Sequence, residues 1–143
     1  MTTEEGVTKL RAGFLLIGHG LDPELISDQI GLKPTLMWRQ GQPRVPRSPL
    51  VHDSDGWAIR TDYEVTLDLQ SHVRRILALV HPHAQEIRRL CDAHGLSAEL
   101  ECVVRIIGDE VQKAPAITFD SGTVRQLADL QADLDIDINL ISA

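Results

Sequence analysis

The stretch from Leu10 to Ile17, LRAGFLLI, is almost wholly apolar and short, which predicts a buried strand. Behind it, Asp22 is an N-cap type of residue, Pro23 falls at the first helical position, and Glu24 suits the positive end of a helix dipole. Leu21 and Ile26 occupy the two positions of a hydrophobic staple, Gly31 stands where a left-handed C-cap belongs, and Pro34 keeps the helix from resuming. Residues 35–39, TLMWR, predict a short strand. From Gln40 to Gly56 neither period is present, and prolines at 43, 46 and 49 exclude a helix or a central strand. Loops of that length in a small domain are uncommon and tend to be functional or flexible.

Strict alternation returns from Trp57 to Leu69 and predicts a strand with Trp57, Ile59, Tyr63, Val65 and Leu67 on one face. Val73, Ile76, Leu77 and Val80 then repeat at helical spacing. Pro82 breaks the run before Ala84, Ile87, Leu90 and Cys91 resume it, and Gly95 ends this second helix. Leu96 to Ile106 alternates as an amphipathic strand, GDEVQKAP (108–115) reads as a turn, and 116–119 as a short strand. Asp120 or Ser121 caps a helix bearing Val124, Leu127, Ala128 and Leu130, and LDIDINL closes the chain as a strand whose aspartates face water.

Strands with one polar face imply an antiparallel sheet covered by helices on one side. The expected class is therefore α+β, ferredoxin-like, mainly antiparallel. A strand–capped helix–strand unit near each end suggests a duplicated half. Residues 1–9 are expected to form a flexible tail and 10–143 a single domain, with the Pro/Arg-rich loop spanning 40–56.

At 143 residues the chain can bury roughly 68–70% of its unfolded surface without disulfide or metal staples. Aromatics at 3% make the core aliphatic, and a net charge of −7 argues against general nucleic-acid binding. Cys91 and Cys102 lie within apolar patterns and are expected to be free, buried and inert, as in a reduced compartment. No run approaches the roughly 18 apolar residues of a membrane span, and the N-terminus lacks a signal-peptide pattern, so the expected location is the cytoplasm.

Phe14 and Gly18 before Leu21-Asp22-Pro23-Glu24, then Ile30-Gly31-Leu32, Pro34-Thr35, Gly41 and Trp57, lead to a closing Leu127-Ala128-x-Leu130-x-Ala132-x-Leu134-Asp135-Ile136-Asp137. In that order these residues resemble a bacterial family of small single-domain proteins, domain of unknown function 4279, from about Ala12 to Ile141. The resemblance implies a single-domain module and carries no catalytic residues onto this chain.

Metal ligation has little support. His81-Pro82-His83 is the closest histidine pair, and no HExxH or paired CxxC spacing exists. Asp53-x-Asp55-Gly56 with Glu64 matches the ends of a calcium loop, but the intervening ligand positions fall on Trp57, Ile59 and Thr61. No serine sits in a GxSxG elbow. No metal and no cofactor is therefore expected.

Two features remain. In Gly18-His19-Gly20, the first N–H groups of the following helix can hold an anion. Between Lys33 and Arg60, five basic residues face only Asp53 and Asp55, and Trp38 and Trp57 bracket the loop. Arg and Trp are over-represented at binding hot spots. Core packing covers Trp57, while Arg39, Arg44 and Arg47 are either solvated, paired with the acidic C-terminal stretch at Asp129, Asp133, Asp135 and Asp137, or placed to capture an anion.

The sequence favours a non-enzymatic binding module in which Trp38, Arg39, Arg44 and Arg47, with Gly18, His19 and Gly20 as neighbours, engage an acidic protein partner or a small anionic ligand. One form of it is a toxin-neutralising immunity-type protein. The competing class is a small enzyme with an acid/base site at His19 and His52 or Asp53. Exposed sheet edges leave homodimerisation by strand pairing open.

Overall fold

Strand β1 (Lys9–Gly18) is buried on both faces over most of its length, and its apolar run places it at the centre of the sheet. The computed structural model describes residues 8–66, 68–107 and 116–141. The chain runs β1, α1 (Pro23–Ile30), β2 (Leu36–Trp38), β3 (Asp55–Arg60), α2 (Leu69–Val80), a 3₁₀ turn (His81–His83), α3 (Ala84–His94), β4 (Ser97–Ile107), α4 (Ser121–Asp129) and β5 (Asp133–Ile141). The spatial strand order is β2-β3-β1-β4-β5.

The first helix follows its sequence signals. Asp22 accepts the Glu24 N–H at 3.2 Å, Pro23 opens the helix, and Gly31 closes it at φ 80°. Asp68 and Asp120 cap α2 and α4 in the same way, accepting from Ser71 and Thr123.

The α+β class holds, and the sheet is mixed rather than purely antiparallel, with three of its four strand pairings antiparallel. β1, β2, β3 and β4 pair antiparallel, whereas β5 lies parallel to β4. The long connection through α4 permits this, because parallel neighbours need a crossover of about a dozen residues or more, usually a helix. The ferredoxin-like expectation is thus not confirmed. The two strand–helix–strand units also differ: β4 and β5 are neighbours, while β3 lies between β1 and β2.

The strand expected over 57–69 stops at Arg60. Thr61 ends it, because its hydroxyl accepts the Ala12 N–H at 3.1 Å and so replaces the next ladder bond. Glu64 touches β1 only through an isolated bridge to Leu10, and Val65 is exposed. Residues 116–119 form no strand but lead into the Asp120 cap, whose N–H donates to Gln70 Oε1 at 2.6 Å. The side of Leu67, the turn at 108–115 and residues 1–7 of the expected tail lie outside the described residues. Thr8 is buried, and its hydroxyl accepts the Ile107 N–H at 3.2 Å.

Leu10, Ala12, Phe14 and Leu16 point from β1 to the helical side, where Ile26, Val73, Ile76, Leu77 and Ile87 complete the main core. Trp57 is fully buried there, and its indole N–H donates to Ser27 Oγ at 2.9 Å, tying β3 to α1. On the opposite face Leu15, Trp38 and Ala58, with Ile17 beside them, form a second, smaller cluster. No helix among the described residues is long and apolar enough to cross a membrane.

Candidate functional site

Among the described residues no helix packs on the second face of the sheet, and the Pro/Arg-rich segment lies against its β2–β3–β1 side. Residues 40–54 have no regular secondary structure, yet they are tied as an irregular hairpin. The Gly41 N–H donates to His52 O at 2.8 Å, the His52 N–H to Gln42 O at 2.9 Å, and the Arg44 N–H to Leu50 O at 2.9 Å. A bridge between Pro43 and Val51 lies between them, and the Ser48 N–H closes the tip on Val45 O at 3.1 Å. This arch ends where β3 begins, so Asp55 and Gly56 belong to the strand rather than to the loop.

Asp55 anchors the arch. Its buried carboxylate accepts the Gln40 N–H at 2.7 Å and the Leu21 N–H at 3.1 Å. The Gln40 bond, with those of Gly20 and Leu21, holds its pKa below the ordinary carboxylate range against the opposing effect of burial. The N–H groups of Gly20 and of the following Leu21 are thus directed onto the chain's own carboxylate. His19 is exposed.

Trp38 lies over Gly56, where a Cβ would overlap its ring. On the far side the His52 imidazole stacks on the indole, with centroids 5.1 Å apart and planes 20° from parallel. Burial is the main cause of a lowered His52 pKa; Arg44 and Arg60 add to it and Asp53 opposes it. Among the described residues no group of three or more His, Cys, Asp or Glu is arranged to hold a metal ion.

Between arch and sheet lies a cleft of about 560 Å³. Leu15, Ile17, Leu36, Met37 and Val45 form its apolar lining. Trp38, His52, Asp53, Arg11, Arg44, Arg60 and Glu101 supply its polar and aromatic groups. Arg60 reaches Glu101 across β1 at Gly13, the residue paired with both in register. A Cβ at Gly13 would stand 2.6 Å from Arg60 Cγ, so glycine gives the arginine its path.

Glu101 Oε1 lies 3.4 Å from Arg60 and 3.8 Å from Arg11, so two guanidinium groups share one carboxylate. Neither contact is a hydrogen bond. Arg11 Nε, Arg60 Nε and Glu101 Oε1 are all buried without a hydrogen-bond partner among the described residues. Beyond Arg11, the Tyr63 ring has Lys9, Arg11 and Arg105 around it at 4.6–5.9 Å from its centroid.

The sequence-derived candidates separate. Trp38, Arg44, His52 and Asp53 share the cleft, whereas His19 and Arg47 are not among its lining residues. Arg47 sits at the arch tip with φ 65°. Arg39 pairs with the helix cap Asp22 at 3.2 Å instead of with the acidic C-terminal stretch, where Asp129 meets His81 at 2.9 Å. Arg39 also lines a separate cavity of about 180 Å³ with Pro23, Glu24 and Trp38.

Periodicity alone did not find Arg11, Glu101 or the role of Arg60. Their signal is a charged residue on the outward side of a central strand, which needs the sheet order to be interpreted. No curated protein and no solved structure matches the chain. The family model described as Domain of unknown function (DUF4279) matches residues 8–140, and by that match over nearly its whole length the chain belongs to the DUF4279 family.

Proposed function

We propose that this chain is a non-enzymatic binding module whose cleft takes a small anionic ligand. The observation that carries the reading is the shared carboxylate. Arg11 and Arg60 have one Glu101 between them, and each retains a buried Nε–H without an acceptor among the described residues. A partly desolvated guanidinium without its own counter-charge is costly, and an anion relieves that cost. Arg44 adds a third positive charge from the arch.

A volume of about 560 Å³ falls within the usual range for small-molecule sites, about 300–1,000 Å³. Its concavity favours a small ligand over a broad acidic protein surface. The acid/base alternative has less to stand on, because His19 is not among the cleft residues and the His52 ring is stacked on Trp38.

A thermal-shift panel of small organic anions tests the reading, since a ligand bound only by the folded state stabilises it by about 2.7 kcal/mol at a hundredfold excess over Kd. At least one anion should raise the melting temperature of the wild type, and R11Q and R60Q should each lose that rise. If no anion shifts the wild type, or if the shift survives in both folded variants, the proposal is wrong.

A further inference from the structure

The chemistry of the cleft specifies more than a negative charge. Within the anion-binding reading, on which this step rests, we infer that the ligand is an aromatic monocarboxylate: one negative charge on a flat apolar body. Three arginines, 11, 44 and 60, face two carboxylates, Asp53 and Glu101, leaving a surplus of one positive charge. A second negative charge on the ligand would meet those carboxylates without a counter-charge.

The same sheet face excludes a polyanion. The register places Asp133 and Asp135 beside Glu99 and Glu101 on the outward side of β4 and β5, so acidic groups flank the arginines. A nucleic acid or an acidic peptide running off the cleft in that direction would be repelled.

The body of the ligand follows from the walls. Leu15, Ile17 and Leu36 are part of the apolar lining, and beside them in the cleft stand His52 and Trp38, stacked on each other with the indole against Gly56. The Arg60 guanidinium carbon lies 6.0 Å from the Trp38 ring. A carboxylate on Arg60 therefore puts the group attached to it beside this aromatic pair, where a ring gains apolar burial and an edge contact.

Calorimetric titration of the full chain at neutral pH with phenylacetate, indole-3-carboxylate, acetate, inorganic phosphate and the neutral isostere phenylacetamide tests this. At least one aromatic carboxylate should bind one-to-one, with acetate, phosphate and phenylacetamide each weaker by about tenfold or more. R60Q should weaken the aromatic carboxylate by about tenfold or more. R44Q, at an exposed arch position, should weaken it as well and serves where R60Q does not fold.

If acetate or phosphate binds as tightly as the aromatic carboxylates and remains sensitive to R60Q, the aromatic assignment is overturned while the anion site stands. If phenylacetamide binds equally well, the charge requirement fails and both readings fall. If neither aromatic carboxylate binds at millimolar concentration, this inference is overturned, and the anion panel alone decides the broader reading.

Discussion

Asp55 Oδ1 accepts the Gln40 N–H at 2.7 Å, so the first residue of β3 holds the first residue of the arch. The other carboxylate oxygen takes the Leu21 N–H at 3.1 Å and fastens the arch to the turn before α1. One buried side chain thus sets the position of a segment that has no helix or strand of its own.

Replacing Asp55 by Ala leaves the buried Leu21 N–H unsatisfied, at about 1–3 kcal/mol, and frees the part-buried Gln40 N–H. D55A should lower stability by at least that amount in urea denaturation and loosen the arch, read as faster amide exchange at Gln40 and Leu21. D55N, which keeps an acceptor oxygen, should lose less. Equal stability of D55A and wild type would remove Asp55 as the anchor.

Gly56 is glycine because the Trp38 ring occupies the space of its Cβ. G56A should displace the indole and cost about 1–3 kcal/mol, the usual range for overpacking. The tryptophan emission should move to the red, but only in part, since Trp57 stays fully buried on the other face. An unchanged emission maximum would mean that the ring does not rest there.

Acid and alkali should act through different groups. Burial, with Asp135, Glu101 and Asp133 nearby, pushes Glu99 up from 4.5 to about 7. The folded state then holds a proton that the unfolded state gives up, so this contribution is complete below the unfolded value and is lost as pH rises through about 7. E99Q should therefore gain stability relative to wild type at about pH 8, and the gain should shrink toward about pH 5.

His72 works in the opposite sense. It is 1% exposed, with Nδ1 2.9 Å from Thr61 Oγ1, and burial followed by Arg75 holds its pKa below 6.5 while Glu64 and Asp68 oppose the shift. Its contribution is present above 6.5 and is lost as pH falls through the folded value. Denaturation midpoints measured across that range should show E99Q removing the alkaline loss and leaving the acid loss in place.

The thiols should be inert in the folded chain. Burial pushes Cys91 up to about 11 and Cys102 up to about 12. Only the thiolate reacts, so Ellman's reagent at about pH 8 should label both rapidly only after denaturant is added. Fast labelling of the native protein would contradict the packing around these residues.

Much of the fold was legible locally. Asp22, Pro23 and Gly31 mark α1 because caps and turns depend on residues a few positions apart. The apolar run 10–17 marks β1, and the alternation near the C-terminus marks β5. The early end of β3 was not legible, because the Thr61 hydroxyl that stops it does so by capturing Ala12, a residue distant in sequence. The parallel direction of β5 likewise depends on which neighbour it joins.

The candidate site divides along the same line. Sequence alone determined the loop, its prolines and arginines, and its local positive charge, since these are properties of a contiguous segment. Only the tertiary structure decided that Arg44 and Trp38 meet Arg11, Arg60 and Glu101 while Arg39 turns to Asp22. The reason is pairing across the sheet. β1 lies between β3 and β4, and Gly13 leaves room for Arg60 to pass over it, so charges remote in the chain share one small, partly desolvated volume.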